Sequence, residues 1–112
     1  MRRAWSIARR EQFDRVFRRG KVAHGSLASV RALPNGQDNS RLGLVVGKRI
    51  GCAVQRNRAK RLIREAVDVR ALPAGWDVVV TARPGIQSAK YADVEQELRG
   101  LLVRIGVLGP RE

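Results

Sequence analysis

One cysteine, one histidine, one tyrosine, two phenylalanines and two tryptophans are all that this 112-residue chain has of those types. Each scarcity closes a class of function. Cys52 alone can form no internal disulfide, so a reducing compartment, the cytoplasm, is the default. Cys52 and His24 together offer too few ligands for a zinc site of the Cys/His kind. Cys52 reads as a small loop or core residue ahead of a nucleophile. His24 reads as a turn or surface residue ahead of a base, with an RNA contact left open. No apolar run is long enough to span a bilayer. The basic start, MRRAWSIARREQF, is followed by no apolar core and cleavage site, so it is not read as a secretory signal. Acidic residues are few as well, 10 against 23 Lys and Arg. A metal-dependent nuclease needs converging carboxylates. Asp93, Glu95 and Glu97 are the nearest approach to such a set, and no second acidic cluster accompanies them. No serine has a His or Lys dyad pattern, and no Gly-rich loop precedes a Lys-Ser or Lys-Thr pair. The residues alone therefore predict neither a catalytic group nor a metal site.

What the chain has in excess is positive charge. Its formal net charge is +13. Such an imbalance calls for an acidic partner: nucleic acid, an anionic membrane surface or an acidic protein. Arginine dominates, and its planar fork suits phosphate and base recognition, which favours nucleic acid. Hydrophobic residues at 44% suit one compact domain, with a core over about residues 7–105, a basic N-terminal arm and a short tail expected to fray.

Periodicity orders the elements. SIARREQFDRVFRRG reads as a first helix, with Ser6 at its start and Gly20 in the left-handed position after its end. Phe13, Val16 and Phe17 share one face. The pair Phe13 and Phe17 reads first as core packing and second as a stacking surface for unpaired bases. Trp5 and Trp76 carry the same two readings, with Trp5 the less core-like. A short pairing segment is expected at KVAHG. SLASVRAL reads as a strand, PNGQDNS as a turn, and RLGLVVGKRI as a central buried strand that pairs with SLASVRAL in a hairpin. AVQRNRAKRLIREAV follows as an amphipathic helix. Ala59, Leu62, Ile63, Ala66 and Val69 line one side; Asn57, Lys60, Arg61 and Arg64 line the other, with Arg56 and Arg58 at the boundary. Glu65 offers Arg61 its i,i+4 partner. After RALPAG come a strand, WDVVVTA, a loop, and a last helix over YADVEQELRGLLVRI. The expected fold class is α+β in one small domain: helix, strand, strand, helix, strand, helix, with a mixed sheet packed by helices. The basic helix joins two strands expected to be parallel neighbours, and the general rule makes such a crossover right-handed.

The stretch GKRIGCAVQRNRAKRLIRE concentrates the chemistry. Lys48 and Arg49 end a strand, a tight loop follows, and the Arg-rich helix begins with its positive dipole end. A merely soluble basic face would not need charges this one-sided. A membrane-surface helix would need an apolar stripe that the domain's own core requires here. RNA or DNA binding is the reading that remains. It is either specific to one assembly or that of a general structured-RNA-binding or ribosome-associated protein.

RLGLVVGKRIGCAVQRNRAKRLIREA resembles the signature of the bacterial ribonuclease P protein component. Arg56-Asn57-Arg58 matches the family's central motif, and Lys60, Arg61, Arg64 and Glu65 match its continuation. FDRVFRRGK matches the first helix, and WDVVVTARPG the last strand and its loop. The resemblance runs from about Arg9 to about Ile105. It implies the protein subunit of an endoribonuclease that removes the 5′ leader from precursor tRNA. Its partners would be a catalytic RNA subunit, which holds the magnesium ions, and the leader itself, with neither DNA nor a membrane expected. Lys48, Arg49, Arg56, Asn57, Arg58, Lys60, Arg61 and Arg64 would face the catalytic RNA. Phe13, Phe17, Val30 and Arg31 would line a cleft for the leader. The family's strand–helix–strand crossover is left-handed, against the general rule. Two departures stand out: SLASVRAL lacks the aromatic that this strand usually brings to the cleft, and Gly47 replaces a frequent hydroxyl residue.

Overall fold

A computed structural model describes residues 5–109; the arm at 1–4 and the last residues, 110–112, lie outside that range. Helix α1 spans Arg10–Arg19, α2 Ala53–Ala66 and α3 Tyr91–Ile105. Strands are β1 at Lys21–His24, β2 at Ala28–Pro34, β3 at Arg41–Val45 and β4 at Trp76–Ala82. The α+β class and element order agree with the sequence reading, and KVAHG does supply the extra strand.

The sheet order is β1-β2-β4-β3, with β3 and β4 parallel and the other pairs antiparallel. The expected β2–β3 hairpin is therefore wrong, because β4 lies between its two arms. Burial explains the exchange. Val78, Val79 and Val80 are all 0% exposed, so β4 is the strand apolar on both faces and takes an interior position. Strand β3 sits at the margin instead of the centre. Its outer edge is partly covered by the chain before α1: Ile7 N–H donates to Leu42 O at 3.0 Å, and Ser6 bridges to Leu42.

Alternation sorts the two faces. Ala28, Val30 and Ala32 of β2, Leu42 of β3, and Val78 and Val80 of β4 join Ile63, Val94, Leu98 and Leu102 in the main core under α2 and α3. Val79 turns the other way and packs with Ile7 and Val16, flanked by Phe13, Leu33 and Val45, under α1. Phe13 comes close because residue 43 is glycine: a Cβ there would meet the ring at 2.7 Å. At the end of the sheet, Arg41 donates two parallel hydrogen bonds to buried Asp77, Nε to Oδ1 at 2.8 Å and Nη2 to Oδ2 at 2.7 Å. Asn35 Nδ2 donates to the same Oδ1 at 2.9 Å. The hydrogen bonding to Asp77 holds the Arg41 guanidinium above its usual range, so this cation is committed to the fold.

Helix ends correct three further expectations. Ser6 does not start α1, since its backbone is engaged with β3; Gln12 Oε1 instead accepts from Ala8 N–H and Arg9 N–H, both at 3.1 Å. Gly20 is extended at φ −73°, and is small for a different reason: a Cβ would meet Val16 O at 2.5 Å and Ala32 O at 2.9 Å. The left-handed cap falls on Gly106, at φ 101° after α3. Beyond it the tail does not fray at once, for Val107 is buried and Leu108 packs on the core. Trp5 is likewise half-buried, packed against the main core with the Arg70 guanidinium 5.5 Å from its ring centre.

Candidate nucleic-acid interface

Helix α2 begins after a hinge that only glycine serves well. Gly51 stands at φ 137°, and a Cβ there would run into the Gln55 side chain. Gln55 Oε1 accepts from Cys52 N–H at 3.0 Å, which closes the first turn. Cys52 is exposed. Its thiol is held below the ordinary cysteine range, chiefly by the backbone N–H of Gln55. Ala59, Leu62 and Ile63 are buried, as the helical pattern requires. Asn57, Arg58, Arg61 and Arg64 are exposed, and Arg56 and Lys60 half-buried.

Lys48 and Arg49 do not end a strand. They occupy a 3-10 turn, Lys48–Ile50, anchored by buried Ile50, and both are exposed. Their cations border the start of the basic helix. Among the described residues the ion pairs are Arg41–Asp77, Arg70–Asp68 and Arg99–Glu95. None neutralises a cation of α2 or of the turn, and the expected Arg61–Glu65 pair does not form. Arg58 is the exception to a free basic face. Its Nε donates to Gln87 O at 2.6 Å, tying α2 to the 3-10 turn Ile86–Ser88.

On the other side of the sheet, Phe13 is half-buried and Phe17 is 39% exposed. Phe13 thus packs with the core, while the Phe17 ring lies at the surface. The Arg31 guanidinium lies 4.8 Å from the Phe17 ring centre, a cation–π contact. Val30, expected beside Arg31 in the cleft, is 0% exposed and points into the opposite core. Successive strand residues face opposite ways, so Val30 and Arg31 cannot share a surface. The cleft takes its other residues from β3 and its exit. Phe13, Phe17, Leu44, Val45 and Val46 line one largely apolar groove, with Arg10 and Asp14 at its α1 wall. A second groove, lined by Ile7, Phe13, Gly43, Leu44, Lys60 and Arg64, adjoins it. Phe13 and Leu44 belong to both. The aromatic surface of α1 therefore runs without interruption into the cations of α2 around the β3 edge. Sequence reasoning missed Leu44, Val45 and Val46 because it placed β3 in the middle of the sheet.

The carboxylates of α3 do not converge as a metal's donor set. Both oxygens of Glu97 accept hydrogen bonds from residues 26–28, and Glu95 pairs with Arg99 at 3.3 Å.

Comparison with known proteins places the chain in a family. The family model described as Ribonuclease P matches residues 1–106. The ribonuclease P protein component of Dehalococcoides mccartyi strain CBDB1 is 39% identical over 108 residues, covering 96% of this chain and 90% of that protein. That of Brevibacillus brevis is 40% identical over 111 residues, covering 96% and 88%. Among solved structures, the Staphylococcus aureus RNase P protein superposes with a TM-score of 0.84 at 29% identity, covering 94% of this chain and 98% of that one. The Thermotoga maritima RNase P protein gives 0.79 at 33% identity, covering 89% and 96%. With the motif, the fold and a family match over residues 1–106 in agreement, the chain belongs to the ribonuclease P protein family, the protein components of a tRNA-processing endoribonuclease.

Proposed function

We propose that this chain binds a catalytic RNA subunit through the face formed by Lys48, Arg49, Arg56, Asn57, Arg58, Lys60, Arg61 and Arg64, and receives the 5′ leader of precursor tRNA along Phe13, Phe17 and Arg31. The observation that carries the reading is the shared wall of the two grooves, which leads from aromatic rings directly to unpaired cations. Rings without base-specific partners stack on any base, and cations without acidic partners accept any phosphate, so the surface suits leaders of varied sequence. Two polyanions brought together at short range repel, and interposed cations offset that repulsion. The protein's contribution is then to affinity for substrate, with the hydrolytic chemistry and its magnesium ions on the RNA partner. The compartment on this reading is the cytoplasm.

Reconstitution tests it. The protein alone should leave precursor tRNA uncut. Added to a bacterial-type RNA subunit, it should raise cleavage at low magnesium. No gain over the RNA alone, across a range of protein concentrations, would sink the proposal.

A further inference from the structure

The α1 side of the sheet carries two rows of side chains, defined by strand register. One row is Val22–Arg31–Val79–Gly43, with Phe17 beside Arg31 and Phe13 over Gly43. The other is His24–Ser29–Thr81–Val45, two residues further along each strand. Of this second row His24 is exposed, and Ser29, Thr81 and Val45 are half-buried. Neighbouring strands lie about 4.8 Å apart, so His24, Ser29 and Thr81 form a polar strip about 10 Å long beside the aromatic groove.

The strip is pre-set. His24 Nδ1 lies 3.0 Å from Ser29 Oγ, which orients the imidazole, and Nε2 has no hydrogen-bond partner among the described residues. The hairpin tip next to His24 is held unusually firmly for an exposed turn. Glu97 Oε1 accepts from Ser26 N–H at 3.0 Å and Ser26 Oγ at 2.8 Å. Its Oε2 accepts from Leu27 N–H at 2.8 Å and Ala28 N–H at 2.9 Å. Arg83 adds two more bonds, Nη1 to Gly25 O and backbone N–H to Leu27 O, both at 2.9 Å. A Cβ on Gly25 would meet the Glu97 carboxyl carbon at 2.6 Å and push the clamp out of place. A four-residue edge strand in such a clamp presents its outward side chains in one geometry, which is what selective hydrogen bonding needs.

We propose that His24, Ser29 and Thr81 form a base-reading strip for single-stranded RNA, continuing the leader path beyond the Phe17–Arg31 contact and giving this protein a preference among leader sequences. The inference rests on the leader-binding reading above and deepens it. Stacking on Phe17 accepts any base; an imidazole Nε2 and two hydroxyls instead distinguish base edges by their donors and acceptors. One net hydrogen bond gained by the preferred base corresponds to about a five-fold difference in affinity.

The test uses the full chain reconstituted with a bacterial-type RNA subunit. Precursor tRNAs carry leaders of adenosine, uridine or cytidine only, and mature tRNA serves as the leaderless control. The wild-type holoenzyme should separate the leaders by about five-fold in Kd and KM. His24→Ala and Thr81→Val should each compress that spread to about two-fold or less, through KM and not through kcat, with mature tRNA binding as before. His24→Gln, which keeps a donor and an acceptor, should recover part of it. Should His24→Ala lower the melting temperature, the near-isosteric Thr81→Val decides alone. A spread that survives both exchanges overturns the strip, as does a wild-type holoenzyme indifferent to leader sequence. Failure of the wild-type protein to stimulate cleavage at all removes the parent reading, and the strip with it.

Discussion

Residues of one type divide here into different roles. Arg41 is spent on Asp77, Arg58 shares its guanidinium with the Gln87 carbonyl, and Arg61 is exposed and in no ion pair among the described residues. Arg61→Ala should therefore weaken binding to the catalytic RNA and flatten the log K against log salt slope by about 0.7–0.9, without moving the melting curve. Arg58→Ala should do the same and also lower stability by about 1 kcal/mol, since a carbonyl loses its charged donor. Arg58→Lys separates the two effects: the charge stays while the Nε geometry goes. Binding isotherms at four or five salt concentrations measure this, and an unchanged slope in Arg61→Ala removes that side chain from the interface. The two phenylalanines should part company in the same way. Phe17→Ala should cost leader affinity with little change in melting, because the ring is already exposed. Phe13→Ala should lower stability by about 2–4 kcal/mol, because that ring fills the space over Gly43 and the small core beneath α1. Equal melting temperatures for both variants would contradict this division.

Elements meet at a few tight joints. The β3–β4 pair is parallel, which no short turn can close, and α2 serves as the long connection between the two strands. Arg41 and Asp77 lie opposite each other in the register of that pair, at the end where β3 begins. Asp77→Ala would leave a mostly buried guanidinium without its counter-charge and deprive Asn35 of an acceptor. Denaturant unfolding should show a loss of about 3–5 kcal/mol. A loss under about 1 kcal/mol would mean that the clamp is incidental to the joint. Gly20 and Gly43 mark two other joints, where backbone or ring comes too near for any Cβ. Both bring α1 against the sheet, so the cleft depends on two missing side chains as much as on the aromatic ones.

At the scale of the molecule, charge is separated from structure. Buried ionic chemistry gathers at one end of the sheet, while Lys48, Arg49, Arg56, Lys60, Arg61 and Arg64 stand outside the ion pairs among the described residues. If about six of these cations each displace a counterion, the affinity of the holoenzyme subunits should fall with salt at a slope of about −4 to −5. A slope shallower than about −2 would mean that hydrogen bonding or packing, and not the polyelectrolyte term, dominates assembly.

The amino-acid sequence by itself determined the helices, the apolar stripe and basic face of α2, the strand at Trp76–Ala82 and the demand for an anionic partner. These follow from local spacing and from charge that no nearby acid can cancel, so they need no knowledge of the fold. Asn57 could be placed on the exposed basic face for the same reason. Only the tertiary structure decided which strand lies between which. Hairpin chemistry at Pro34-Asn35-Gly36 is a local preference, and it lost to the burial of three consecutive valines on both faces of β4. With strand order came everything non-local: Val30 turned inward, Arg31 set against Phe17, Arg58 drawn to Gln87, and Glu97 turned from a surface acid into the clamp of the β1–β2 turn. Contacts between residues tens of positions apart leave no periodic trace in the chain, because their geometry exists only once the sheet is assembled.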